Sequence, residues 1–183
     1  ASLFTCVLLH EYGHALTARQ YDVETQDIIL TPIGGIARLE QMPEKPRQEF
    51  LVAIAGPGSN LILALISALL LHVAVLAPSW FAEWSVQTLI NSMRLNIMLA
   101  LFNILPLLPL DGGRVLGGIL PPNLARPFFR TERYGMMVLL ALIFLLPLIG
   151  SQLGMNLNIL GWILGPASDY LLHLVVTLTG LTG

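Results

Sequence analysis

Charge is what this sequence has least of. Of its 183 residues, 11% are Asp, Glu, Lys or Arg, against about a quarter in ordinary soluble domains. With 55% hydrophobic residues and a mean hydropathy of +0.76, that scarcity argues against a free-standing soluble domain and for an integral membrane protein. Cysteine is nearly absent as well. Cys6 stands alone, which excludes an internal disulfide. There is no basic–apolar–small signal-peptide pattern, no internal repeat, no low-complexity tract and no stretch polar enough for a soluble domain. The net charge of −2 says little by itself, and no nucleic-acid partner is expected.

What the sequence does contain is Leu8-Leu9-His10-Glu11-Tyr12-Gly13-His14, an H-E-x-x-H pattern inside an apolar run. Residues four apart share one face of a helix. Neutral imidazoles at that spacing both reach one Zn²⁺. Glu11 is placed to serve as general base toward a water at that metal, and Gly13 lets another backbone come close. The plain alternative is a structural His–Glu hydrogen bond in a core helix. Three ionisable groups within five residues of an apolar helix are costly without a compensating partner, however, and a metal supplies one. Cys6, one turn before His10, reads as a small apolar helix residue rather than a ligand.

The pattern along the chain predicts an all-α polytopic membrane protein with about five transmembrane helices and a small β-hairpin or sheet at the membrane surface. The first helix covers about residues 1–20. The charges then cluster in residues 21–49, where Asp27–Thr31 and Gly35–Glu40 read as short strands around the turn residues Thr31-Pro32-Ile33-Gly34-Gly35. An open edge there suits addition of an extended peptide strand; a plain linking hairpin is the other reading. A second helix follows over about 47–77, with no charge between Phe50 and Phe81. Gly56-Pro57-Gly58 interrupts it and invites a kink, and Asn60 needs a partner at such a depth. His72, with no second ligand near it, reads as structural. Residues 78–93 look mildly amphipathic and interfacial, with Trp80 and Trp84. A third helix over about 94–110 ends in Asn103-Ile104-Leu105-Pro106-Leu107-Leu108-Pro109-Leu110-Asp111-Gly112-Gly113. The prolines bend or unwind the chain, and irregular backbone at membrane depth survives only where it is buried in protein or lines a wet cavity. Asp111 is therefore a site candidate, with an N-cap role for the next short helix as the alternative. The last two helices cover about 134–149 and 159–178, the latter broken near Gly165-Pro166. Asp169 and His173, four apart on it, read first as a hydrogen-bonded pair. The whole chain, 1–183, is expected to be one domain, with its motifs in 1–114 and accessory helices in 134–179. Only nine residues precede His10, so an upstream helix is expected.

Of nine Lys and Arg, four (Arg19, Arg38, Lys45, Arg47) fall in or beside the first long connection. Four more (Arg114, Arg126, Arg130, Arg133) fall between the third and fourth helices. Alternation puts both connections on one side, and the positive-inside rule makes that side cytosolic. His14 then lies about 9 Å deep at the helical rise, and Asp111 ends its helix on the same side. The two clusters can meet. His10, His14 and Asp111 would hold one Zn²⁺ per chain with the fourth position open for water, the arrangement of catalytic zinc. Glu11 would accept the proton. Asn103, on the bent segment, is open to three roles: oxyanion donor, ligand for a substrate backbone, or structural hydrogen bond.

These motifs resemble the site-2 protease family of intramembrane zinc metalloproteases. The resemblance rests on His10-Glu11-Tyr12-Gly13-His14 and on Asn103 through Gly113, similar to the family's N-x-x-P-x-x-P-x-D-G type of motif. Gly34-Gly35 and Ala55-Gly56-Pro57-Gly58-Ser59-Asn60 are also similar to family features. It implies cleavage in or near a substrate's transmembrane segment in the lipid bilayer, with His10, His14 and Asp111 as ligands, Glu11 as base, and Gly34, Gly35 and Asn103 as substrate contacts. Many members carry a PDZ domain between the helices corresponding to the second and third here, or a C-terminal CBS pair; that connection is too short here for a PDZ domain, and a compact form without PDZ or CBS domain in this chain, or a trimmed one, is expected. Asp111 speaks against the CAAX-type membrane proteases, which are expected to use a glutamate as third ligand. A zinc transporter or a non-catalytic metal-binding scaffold is the alternative of another class, and His72, Asp169 and His173 are the residues it would use.

Overall fold

The computed structural model describes residues 2–21, 25–31, 34–39 and 46–181. Helix α1 (Ser2–Arg19) leads into an antiparallel pair of strands, β1 (Thr25–Thr31) and β2 (Gly34–Leu39), in which Leu30 faces Gly35 and Thr31 faces Gly34. Pro32 and Ile33, assigned to the turn above, lie outside the described residues. Both strands lie against α1. Then come α2 (Pro46–Ala74), α3 (Ser79–Asn103), the short α4 (Asp111–Ile119) and α5 (Pro122–Phe129), α6 (Glu132–Leu140), a π-helical segment (Ala141–Leu145), α7 (Leu146–Gln152) and α8 (Ile159–Leu178).

Among the described residues, three helices are long and apolar enough to cross a membrane: Arg47–Ala74, Glu132–Gln152 and Ile159–Leu178. The five crossings expected from the sequence are thus not reached on length and apolarity. The two that fall short carry polar side chains: His10, Glu11 and His14 on α1, and Glu83, Gln87, Asn91, Arg94 and Asn96 on α3. Two further corrections follow. The interfacial segment 78–93 and the helix expected to start at Arg94 are one continuous helix, α3. The expected break at Gly165-Pro166 is absent, because α8 runs through Pro166. The helix expected over 134–149 contains the π segment, an i→i+5 widening through which the helix continues into α7.

Helix α2 is the centre of the bundle and packs against α1, α3 and α4. Its small residues set the spacing: Ala64 and Ala68 are fully buried against Met93 and Ile97 of α3 and Val175 of α8. Close helix approach through small side chains is the usual device where lipid offers no hydrophobic drive for association. The outward faces are large and apolar, including Leu69, Val73, Phe144, Leu148, Trp162 and Ile163, as a bilayer requires of lipid-facing surface. Several polar side chains bridge the helices. Ser67 and Ser92 hydroxyls are 2.9 Å apart, and the Asn96 amide donates to Cys6 Sγ at 3.2 Å. His72 Nε2 donates to the Thr179 carbonyl at 2.8 Å, tying the end of α2 to that of α8. Asp169 and His173 do not form the expected pair. Asp169 is exposed, and the His173 ring sits 3.5 Å from the Thr177 hydroxyl, one turn on.

Candidate metal centre

The buried face of α1 repeats every four residues through Cys6, His10, His14 and Ala18. Glu11, beside it, is 7% exposed. Helix α2 backs this face because Gly13 leaves no side chain in the way: a Cβ there would press on the Ala55 carbonyl and Ser59, each at 3.0 Å. Gly56 of α2 sits directly under the imidazoles, and a Cβ on it would overlap His14 and come within 2.7 Å of His10 Cε1. His14 Nδ1 donates to the Val52 carbonyl at 2.7 Å. A carbonyl only accepts, so this bond puts the proton on Nδ1 and leaves Nε2 with a free lone pair. His10 Nδ1 lies 3.1 Å from the side-chain amide of Asn60, which is fully buried. The partner Asn60 needed at its depth is thus His10.

Asp111 arrives from the other side. After α3 ends at Asn103, residues 104–110 turn the chain back, and Leu108 is buried at 2% exposure. Two glycines allow that turn to close. A Cβ on Gly112 would overlap the Ile104 backbone, and one on Gly135 of α6 would overlap the Leu108 carbonyl. The cap position of α4 is Leu110, in extended conformation and without a side-chain cap bond, so Asp111 is the first helical residue. The N-cap alternative is therefore corrected: the carboxylate turns to the histidines. Asp111 Oδ2 is 3.1 Å from His10 Nε2 and 3.2 Å from His14 Nε2, and the two Nε2 atoms are 3.2 Å apart.

Three electron-pair donors thus form a near-equilateral triangle. Ligands about 2.0–2.1 Å from a tetrahedral zinc stand roughly 3.3 Å from one another, so the triangle has the size of one face of such a site. Asp111 Oδ2 is buried and accepts no hydrogen bond, which leaves its charge to be met by something else. Two nitrogens, one carboxylate oxygen and one remaining face match the donor set of catalytic zinc. Among the described residues this is the group of three that could hold a metal ion.

The sequence profile of Peptidase family M50 matches residues 1–81 and 72–146. The chain belongs to peptidase family M50. Its relatives include YwhC of Bacillus subtilis, 33% identical over 80% of this chain and 80% of that protein. The zinc metalloprotease MJ0392 of Methanocaldococcus jannaschii is 36% identical over 64% of this chain and 33% of its own length. Stage IV sporulation protein FB of Bacillus subtilis is 31% identical over 72% of this chain and 42% of its own length. The chain spans about a third of MJ0392. The family and the donor set agree on zinc as the metal, and the family with the apolar helices makes this an integral membrane protein.

Within this M50 chain, other expected site residues are placed less closely. Asn103 is half-buried at the C-terminal end of α3. Gly34 and Gly35 pair with Thr31 and Leu30 in the two-stranded sheet that lies against α1. Cys6 accepts from Asn96 and stands outside the ligand trio. Sequence reasoning missed the Val52 carbonyl, the space at Gly56 and the support from Gly135. A backbone carbonyl and the lack of a Cβ carry no residue-type signal of their own.

Proposed function

We propose that this chain is the catalytic portion of an intramembrane zinc metallopeptidase, hydrolysing a peptide bond in or near a transmembrane segment of a membrane-protein substrate. The triangle of His10 Nε2, His14 Nε2 and Asp111 Oδ2 carries the reading. Bound zinc supplies Lewis acidity that brings the pKa of a water toward about 7 and polarises a carbonyl. Glu11, one residue after His10, accepts a proton from the attacking water as its oxygen bonds to the scissile carbonyl carbon. It then returns that proton to the leaving nitrogen as the C–N bond breaks, so atoms and charge balance. Asn103 donates to the carbonyl oxygen as that oxygen gains negative charge, or holds the substrate backbone nearby. Strand β2, with Gly34 and Gly35, offers main-chain groups to an extended substrate segment as an added strand. The active face lies toward the cytosol, on the side of the arginine-rich connections, and residues 1–183 act as one domain.

Among the described residues one candidate metal group is present, which fits a hydrolase better than a transporter with several sites along a path. The test is cleavage of a synthetic transmembrane peptide by the purified protein in micelles, with zinc content measured alongside. Glu11→Gln is expected to keep its zinc and lose at least 100-fold in rate, in line with general-base contributions of about 10²–10⁴. Cleavage by the variant at the wild-type rate refutes the role of Glu11. Zinc binding with no cleavage by either form moves the assignment to a transporter or scaffold.

A further inference from the structure

We infer that Asn60 is a positioning residue for the metal centre: its side-chain carbonyl fixes the ring of His10 by accepting the Nδ1 proton. The inference rests on the zinc reading of the His10–His14–Asp111 triangle. It follows from which atom must carry which proton. His10 Nε2 stands 3.1 Å from the Asp111 carboxylate and 3.2 Å from His14 Nε2. To ligate there it must offer a lone pair, so the single proton of the neutral ring sits on Nδ1. That Nδ1 stands 3.1 Å from the Asn60 side-chain amide, the end placed there being Nδ2.

The two ends of an amide differ little in shape, and hydrogen bonding decides which end faces which neighbour. With the nitrogen toward His10, Nδ1 would have to accept and the ring would be protonated at Nε2, the wrong tautomer for a ligand. Asn60 is 0% exposed and its side chain has one hydrogen-bond partner, His10, so either orientation leaves the other end of the amide unpaired, and the tautomer of the ring decides between them. With the oxygen toward His10, the ligand tautomer is locked. Both histidines are then held alike: His14 Nδ1 donates to the backbone carbonyl of Val52, and His10 Nδ1 to the side-chain carbonyl of Asn60. Val52, Gly56 and Asn60 stand four residues apart on one stripe of α2. The stripe therefore supplies a carbonyl, a space for two rings, and a second carbonyl. A hydrogen bond to the far nitrogen of a ligand imidazole orients the ring and raises its basicity, and its loss typically costs on the order of 10–100-fold in metal affinity or activity.

The experiment is Co²⁺ binding to the metal-free, full-length chain in micelles, followed by the visible spectrum and by chelator competition. It compares wild type, Asn60→Leu and Asn60→Asp, with thermal unfolding of each metal-free protein as the folding control. Asn60→Leu has similar bulk and no acceptor, and is expected to bind roughly 10–100-fold more weakly. Asn60→Asp keeps an oxygen toward Nδ1 and is expected to bind as tightly as wild type or more tightly. This second variant separates the two amide orientations even if the leucine variant does not fold, because a carboxylate cannot donate to Nδ1. Wild-type affinity in Asn60→Leu, or a loss of tenfold or more in a folded Asn60→Asp, overturns the assignment while leaving the metal centre standing. A wild-type protein that takes up no cobalt overturns the metal centre and this inference together.

Discussion

The sharpest test of the packing beneath the metal centre is Gly56→Ala. A methyl group at this position would lie 2.5 Å from His14 Cε1 and 2.7 Å from His10 Cε1, whereas carbon atoms in contact stand about 3.5–4.0 Å apart. Each ring must therefore retreat by about 1 Å, or α1 and α2 must part by as much. A metal site tolerates ligand errors of only about ±0.2 Å, and a misplacement of about 1 Å in a catalytic group is enough to cost 10²-fold. Zinc affinity is expected to fall by on the order of 100-fold, with cleavage falling at least as far. The helix itself should not suffer, since alanine is a better helix former than glycine by about 1 kcal/mol. Helical content should be unchanged and the overpacking cost about 1–3 kcal/mol. Gly58→Ala supplies the control within the same helix: a Cβ there meets nothing within 4 Å, so zinc binding and activity should match wild type. Zinc titration and peptide cleavage on the two variants side by side check this. A Gly56→Ala protein with wild-type zinc affinity would refute the claim that α2 backs the two rings at contact distance.

Other outcomes follow from the same geometry. Gly135→Ala would drive a methyl group into the Leu108 carbonyl, displacing the turn that delivers Asp111; activity should fall tenfold or more, with zinc lost more readily to a chelator, as dialysis can measure. Asp111→Asn removes the anionic ligand, and zinc content by atomic absorption should fall well below one ion per chain. Asp169→Asn and His173→Ala, outside the candidate trio, should leave cleavage within about twofold, and a loss of activity there would revive an ion-path reading. Removing zinc with a chelator should abolish cleavage, and adding zinc back should restore it.

That His10, His14 and Asp111 could come together was legible because such chemistry leaves a spacing: histidines four apart on a helix, and an aspartate after prolines that stop a helix. Gly13 was legible for the same reason, as a gap inside the motif. The partner of Asn60 was not, since 50 residues separate it from His10 and nothing local marks the meeting. The continuity of α3 was hidden by its polar residues, which look interfacial one by one yet turn inward in part, with Asn96 and Ser85 buried. Pro166 suggested a break in α8 that the helix absorbs. Asp169 and His173 had the right spacing for a pair, and only the structure shows that His173 sits against Thr177 instead.

The triangle draws its corners from two separate pieces of chain, two from α1 and one from the start of α4, some hundred residues later. A nascent chain that has released only its first two helices holds two nitrogens and the α2 stripe behind them, too few ligands for a tight zinc site. The third corner comes only when the turn after α3 has folded back and α6 has closed over Leu108. On the proposed zinc reading, metal capture reports that α1, α2, α4 and α6 have come together. On the same reading, the order of synthesis keeps the centre incomplete until α4 has been made and placed.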